Sequence, residues 1–569
     1  MAEPQLRLRM SPSSSSETLA GSGSGNSGKT TPQLQQSQPQ FDDPQRAAKM
    51  AKKAALEQRT WQYYPAIALA GFVWGITPAC WAIVLHTLFK LYRGDIASMR
   101  SATAAGWPSG WAILWWHAMV EVPFSIYLFY LSRRVQAPVG EPPAVDLEKM
   151  QTLLYQCLDV GLAAHPPKRR GGHADDKFDL HTVTDEEAEA LWQRMTRWFH
   201  YCPKEQIQRD NVREWLAWAF TGRDLEECRS DQQAMDIIER SLELAENRLK
   251  TTFKEGRNPH CKTLRLTLDR VPVLSRPLGY YVVCNGVTAL TVWWAQRYGG
   301  FQFVREGDCE FLVLPAAEKP RQRAAEHAHK AEPILFLHGL GIGLGQYFAF
   351  LRHLRMHDCG VVVLIQANIS ATIWHRHFLS PPPKDAQVDA IRGVLKRFGF
   401  KKATILSHSN GTMVHGWVAR GAPEICGRHV IVDPVSFRLW EGKTCYAFLA
   451  RQWVTGVEVL LGYFVARELS IATTICRQFN WSDMALWAHD LPSHTPEDLQ
   501  LVFGEHDMLI DVPASVEYLK DAGVPDACIT VVPKYQHGKS LFFDAEGMDI
   551  VLRACDIPRY SKEATARKA

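Results

Sequence analysis

An α/β fold built on a mostly parallel sheet is predicted for residues 300–555, preceded by membrane-spanning and helical segments. The sheet rests on two observations. Short apolar runs recur with helix-like stretches between them: Ile334 to Leu337, Val361 to Ile365, Thr404 to Leu406, His429 to Val432, Leu499 to Phe503 and Ile529 to Val532. Several of these runs lack period-two alternation, as expected of strands covered by helices on both faces. A third observation sets the N-terminal part aside. Tyr64 to Phe89 contains no Asp, Glu, Lys or Arg. A helix of that length, rising ~1.5 Å per residue, exceeds the ~30 Å hydrocarbon core of a bilayer.

Composition narrows the function classes. Of 569 residues, 46% are hydrophobic and 22% charged, with a formal net charge of +4. That excludes a chain disordered throughout and a nucleic-acid binder driven by bulk charge. A mean hydropathy of -0.19 leaves room for one or two spans but not for a polytopic carrier. The thirteen cysteines are odd in number and include no Cys-x-x-Cys pair. A reducing, cytosol-facing main body accounts for them better than a disulfide framework or a zinc ribbon.

The elements follow in order. Residues 1–60 carry a Ser/Gly-rich stretch and a Gln/Pro run, and read as a disordered tail without a secretory signal. Residues 61–135 read as the membrane anchor. Its first span is flanked by Arg46, Lys49, Lys52, Lys53 and Arg59 before it and Lys90 and Arg93 after it, with Trp61, Tyr63 and Tyr64 at the interface. Trp107 to Leu131 is a weaker second span, broken by Glu121 and Pro123; Glu121 lies one turn after His117 and can pair with it. With both spans crossing, basic residues concentrate on the terminal side, which puts both termini, and with them the main body of the chain, in the cytosol. The endoplasmic reticulum or a lipid droplet fits such an anchor.

Residues 140–299 read as a helical region, with helical spacing in Glu186 to His200 and Val212 to Phe220. Leu278 to Ala295 is uncharged between Arg276 and Arg297, but Asn285, Gly286, Thr288 and Thr291 dilute it. It is expected as a core or interfacial helix rather than a span. Phe301 to Val304 and Phe311 to Leu314 flank Gly307-Asp308 as a hairpin. A basic tail, 556–569, closes the chain.

The chemistry concentrates in Thr404-Ile405-Leu406-Ser407-His408-Ser409-Asn410-Gly411-Thr412, an apolar strand, a small-x-Ser-x-Gly turn and a helical run. So tight a turn demands small residues two before and two after the nucleophile, here Ser407 and Gly411. Upstream, Ile334 to Gly341 is a strand entering a Gly-rich loop, where the N–H of Leu340 can join that of Asn410 in facing a developing oxyanion. Downstream, Asp507 and His537 each follow a strand, in the chain order Ser, Asp, His that this triad requires. Asp433 and Glu505 are rivals for the acid.

These motifs resemble the α/β-hydrolase fold over residues 300–555. Arg276-Pro277-Leu278, Asp433-Pro434 and Phe479-Asn480-Trp481 further resemble membrane-tethered fungal and algal hydrolases of unassigned substrate. The resemblance implies Ser409 as nucleophile, Asp507 as acid and His537 as base, with Leu340 and Asn410 forming the oxyanion hole. It also implies a helical cap at about 440–495, whose Trp453, Val457, Leu460, Leu461, Tyr463 and Phe464 suit an apolar acyl or alcohol group. Ser407 stands where the pattern usually has glycine.

The expected function is a membrane-anchored serine hydrolase, esterase- or lipase-like, cleaving carboxylic and above all lipid esters. An acyltransferase using the same triad and a non-catalytic scaffold of the same fold are the alternatives. No cofactor and no metal are expected: His-Glu-x-x-His is absent, and His375 with His377 reads as a surface pair. The expected partners are an apolar ester and a membrane, with no nucleic acid.

Overall fold

Eight strands form one mixed sheet: β1 (Gln302–Glu306), β2 (Cys309–Leu314), β3 (Ile334–Leu337), β4 (Val361–Ile365), β5 (Ala403–His408), β6 (Cys426–Val432), β7 (Leu499–Gly504) and β8 (Ile529–Val532). Their order is β1-β2-β4-β3-β5-β6-β7-β8. The β1–β2 hairpin and the β2–β4 pair are antiparallel, and every later pair is parallel. The computed structural model describes residues 59–94, 110–137, 147–160, 182–316, 332–356, 359–491, 493–542 and 544–556. The expected disordered tail up to residue 58 and the basic tail from residue 557 lie outside them.

Alternate residues of the central strands feed two different cores, so these strands need no polar face. Phe336, Val363, Leu406 and Val430 pack with Phe350, Leu354 and Val551 on one side of the sheet. Leu335, Val362 and Ile405 pack with Ile391, Val394 and Val418 on the other. The strands begin and end close to the expected runs. β5 is longer, because Ser407 and His408 stay in register with Ile431 and Val432 despite their polarity.

Between β6 and β7 the chain forms the helices Lys443–Leu449, Gly456–Leu460, Leu469–Arg477 and Trp481–Met484. They share one apolar cluster with the helical region, where Trp192, Trp198, Leu216, Trp218 and Ile238 meet Trp440, Leu469, Phe479 and Trp481. Polar contacts fix the seam. Trp198 Nε1 donates to Trp440 O at 2.7 Å and Trp481 Nε1 to Ala219 O at 2.6 Å. The buried Arg477 guanidinium donates to the carbonyls of Val135, Gln136, Leu266, Thr267 and Asp269.

Two helices, Tyr63–Tyr92 and Gly110–Arg134, are long and apolar enough to cross a membrane. The second runs unbroken through Pro123. The expected pairing of Glu121 with His117 is replaced by contacts across helices. Glu121 Oε1 accepts from Thr77 Oγ1 at 2.7 Å, and Oε2 accepts from the Leu278 N–H at 2.8 Å. A buried carboxylate gains more from two fixed donors on other elements than from a neighbour one turn away on its own helix. Both helices also touch the rest of the chain. Thr60 N–H donates to Val454 O at 3.1 Å, while Tyr63, Ala66 and Ala70 pack on Val459 and Tyr463.

Candidate active site

The turn after β5 is strained in the way a nucleophile elbow requires. Ser409 has φ 52°, a left-handed conformation that costs an L-residue with a side chain. Its N–H is held by Val432 O at 3.1 Å. A Cβ on Gly411 would overlap the Leu337 carbonyl, so glycine there is a steric necessity. At the other small position, the Ser407 hydroxyl contacts His415 Nδ1 at 2.8 Å, and His415 Nε2 contacts His429 Nδ1 at 2.8 Å. Burial holds His415 well below the ordinary histidine range and His429 at about 4, so both rings are neutral.

Three residues from three loops converge here. Ser409 Oγ lies 2.8 Å from His537 Nε2, and His537 Nδ1 lies 2.6 Å from Asp507 Oδ2. Asp507 Oδ1 accepts the N–H groups of Leu509 and Ile510 at 2.8 and 3.1 Å, which fixes the carboxylate. Burial disfavours the imidazolium, but the Asp507 carboxylate, its hydrogen bond and the charge of Asp433 outweigh burial and raise His537 to about 9.

The rival acids are occupied elsewhere. Glu505 Oε2 accepts the Lys534 N–H at 2.8 Å. Asp433 lies close to Asp507 and His537, accepting the N–H of Gly504 at 2.9 Å and of Gly538 at 2.7 Å. It thereby ties the β7 end, which leads to Asp507, to the loop that carries His537. Burial raises Asp433 to about 6, with the Asp507 charge adding to the effect. Among the described residues, Asp433, Asp507 and His537 lie close enough to share an ion. Asp433 is spent on backbone donors and both His537 nitrogens are engaged, so the group fits a triad and its brace better than a metal site. His375 and His377 are half-buried rather than a surface pair, and His375 Nε2 faces Glu310 at 3.2 Å.

The loop after β3 presses on the elbow. A Cβ on Gly339 would stand 2.8 Å from Ser409 Cβ. Gly339 N–H donates to Tyr347 OH at 2.9 Å, and that hydroxyl contacts His408 Nδ1 at 2.8 Å. Gln346 braces the next residues, its amide donating to Leu340 O at 3.0 Å and accepting from the Ile342 N–H at 3.3 Å. His338 accepts the Gln366 N–H on Nε2 at 3.1 Å, so its proton is on Nδ1, toward Gly339 O at 2.9 Å. The N–H groups of Leu340 and Asn410 have no partner among the described residues. The Asn410 N–H also lies at the start of the Gly411–Gly421 helix, where the backbone favours negative charge.

All five residues expected from the sequence, Ser409, Asp507, His537, Leu340 and Asn410, thus lie on the loops that meet at this site. Tyr347, Gln346 and the bracing role of Asp433 were not foreseen. Of these, Asp433 alone carries a sequence signal, as a rival for the acid that follows a strand.

No family model and no curated protein sequence matches the chain. Solved structures do resemble it. A bacterial membrane phospholipase A is 15% identical with a TM-score of 0.32, covering 48% of this chain and 92% of its own. The carboxylesterase CesB from Bacillus subtilis is 11% identical with a TM-score of 0.31, covering 48% and 98%. An α/β hydrolase from the metagenome of lagoon sediments at Mar Chica, Morocco, is 14% identical with a TM-score of 0.30, covering 45% and 100%. At such scores the chemistry of this site is read from its own residues.

Proposed function

We propose that the chain is a membrane-anchored serine hydrolase of the α/β-hydrolase fold that cleaves carboxylic esters, with lipid esters as the natural class. The observation that carries this reading is the unbroken run of contacts from Ser409 Oγ through His537 to Asp507, at 2.8 and 2.6 Å. In the reaction, Ser409 Oγ attacks the ester carbonyl carbon while its proton passes to His537 Nε2. Asp507 keeps the ring oriented and stabilises the imidazolium. The N–H groups of Leu340 and Asn410 stabilise the oxyanion of the tetrahedral intermediate. Its collapse expels the alcohol, which takes the proton from Nε2. Water, deprotonated by His537, then attacks the acyl-enzyme and frees the acid and Ser409.

The apolar helices Tyr63–Tyr92 and Gly110–Arg134 support membrane attachment. The basic residues on the terminal side of the first helix support a catalytic part facing the cytosol. The test is labelling with a fluorophosphonate: the wild type is modified and Ser409→Ala is not. Modification that persists in Ser409→Ala rejects the assignment.

A further inference from the structure

The helix Leu278–Trp294 is built inside out. It contains no charged residue. Its polar side chains turn inward: Asn285 Nδ2 donates to Ala371 O at 3.1 Å and Thr288 Oγ1 to Ile342 O at 3.0 Å, and Thr291 is buried. Part of its apolar surface turns outward, with Val282 50%, Val283 61%, Leu290 64% and Trp293 54% exposed. The spacing i, i+1, i+8, i+11 places these four on one stripe. A helix facing water carries the opposite pattern.

The start of the helix packs against the second apolar helix. The first N–H of this helix, that of Leu278, is accepted by Glu121 at 2.8 Å, and the Phe124 ring meets Tyr281 at 5.6 Å between centroids. Glu121 lies eleven positions after Gly110, at which the 25-residue helix begins. At ~1.5 Å per residue that is about 16 Å, close to the middle of a ~30 Å hydrocarbon core. A helix that starts at that depth is surrounded by acyl chains wherever protein does not cover it. At its other end, Arg297 stacks on Tyr298 at 5.2 Å, a pairing suited to the headgroup level.

The inner face meets the catalytic loop. A Cβ on Gly343 would stand 2.6 Å from Thr288 Oγ1, and one on Gly345 would overlap Val287. The helix is therefore seated tightly on the loop that holds Leu340. We propose that Leu278–Trp294 is a third membrane-embedded helix, its outer stripe against lipid acyl chains and its inner face against the oxyanion loop, so that ester substrate reaches Ser409 from the bilayer. The final clause rests on the hydrolase reading; the placement of the helix does not.

The test uses the full chain in phosphatidylcholine vesicles, some with nitroxide on the acyl chains. A fluorophore is attached at Val283→Cys, at Leu290→Cys and at the exposed Asp385→Cys, with labelled wild type as background. The expected result is quenching by the chain nitroxides at 283 and 290 and none at 385. Labels at 283 and 290 that behave like the one at 385 overturn the proposal, as do labels shielded from both lipid nitroxide and a water-soluble quencher, which point to a protein partner. In a second arm, Val283→Asp combined with Leu290→Asp lowers hydrolysis of a long-chain ester in these vesicles about tenfold relative to a short ester in solution. An equal change on both esters overturns the route to Ser409. Failure of fluorophosphonate to label Ser409 in the same preparation removes the hydrolase reading and leaves the quenching result standing.

Discussion

Ser407 Oγ lies 2.8 Å from His415 Nδ1, with both side chains fully buried beneath the elbow. The hydroxyl meets the size limit of its position and also satisfies a ring nitrogen that no water reaches. Ser407→Ala is expected to keep fluorophosphonate labelling of Ser409 but to leave His415 unsatisfied, at about 1–3 kcal/mol of stability. Denaturant unfolding alongside labelling checks both halves; loss of labelling with unchanged stability contradicts them.

The two carboxylates near His537 differ in their partners, Asp507 meeting the ring and Asp433 the backbone. Asp507→Asn is expected to lower ester turnover on the order of 10⁴-fold, by favouring the wrong tautomer of His537. Asp433→Asn should cost much less, since Asp433 contacts the backbone of Gly504 and Gly538 rather than the ring nitrogens of His537. The reverse ranking in steady-state kinetics would move the acid to Asp433.

The pH profile follows from the same pair. His537 acts as base only when neutral, so with its value raised to about 9, kcat/KM rises as pH increases toward and through that value. Stability runs the other way. A histidine raised in the folded state contributes stability fully below its unfolded value of about 6.5 and loses it as pH rises through about 9. Asp433→Asn removes one of the charges that raise His537, so its activity profile shifts to lower pH. An unshifted profile means that Asp433 does not act on the base.

Gly339→Ala tests the closeness of the loop to the elbow. The added Cβ would stand 2.8 Å from Ser409 Cβ and 3.1 Å from Tyr347 OH. Displacement of Leu340 should lower turnover by about 10²-fold or more, the cost of losing one oxyanion donor. Near-normal turnover would show that Leu340 contributes little.

Removal of residues 1–139 tests the division into anchor and enzyme. The sequence alone leads one to expect that hydrolysis of a short soluble ester survives. The contacts predict otherwise, because the truncation strips Arg477 of the Val135 and Gln136 carbonyls and uncovers Val459 and Tyr463. Turnover of short and long esters should fall together, with a lowered Tm. Full activity on the short ester would restore the simpler division.

The legible parts of this molecule are local. Strands such as Val361–Ile365 announce themselves because both faces are buried, and the candidate site is readable because Ser409, Asp507 and His537 each follow a strand. What escaped is long-range. Tyr347 meets His408 across 61 positions, Asp433 meets Gly504 across 71, and Glu121 meets Leu278 across 157. Nothing in the period or composition of one segment encodes a partner that far away. His117 is the nearest candidate partner of Glu121 along the chain, and the fold offers the carboxylate better donors in Thr77 and the Leu278 N–H.

Arg477 has a bearing on how the protein is made. Its guanidinium binds the carbonyls of Val135 and Gln136, which precede it by 342 and 341 positions. At ~5–20 residues per second of synthesis, the end of the second apolar helix waits roughly 20 to 70 s for this partner. During that interval nothing yet occupies the place of the helices between β6 and β7. A nascent chain stopped before residue 477 therefore holds both apolar helices with an unfinished seam, and the carbonyls of Val135 and Gln136 lack the guanidinium that ties them to the rest of the fold.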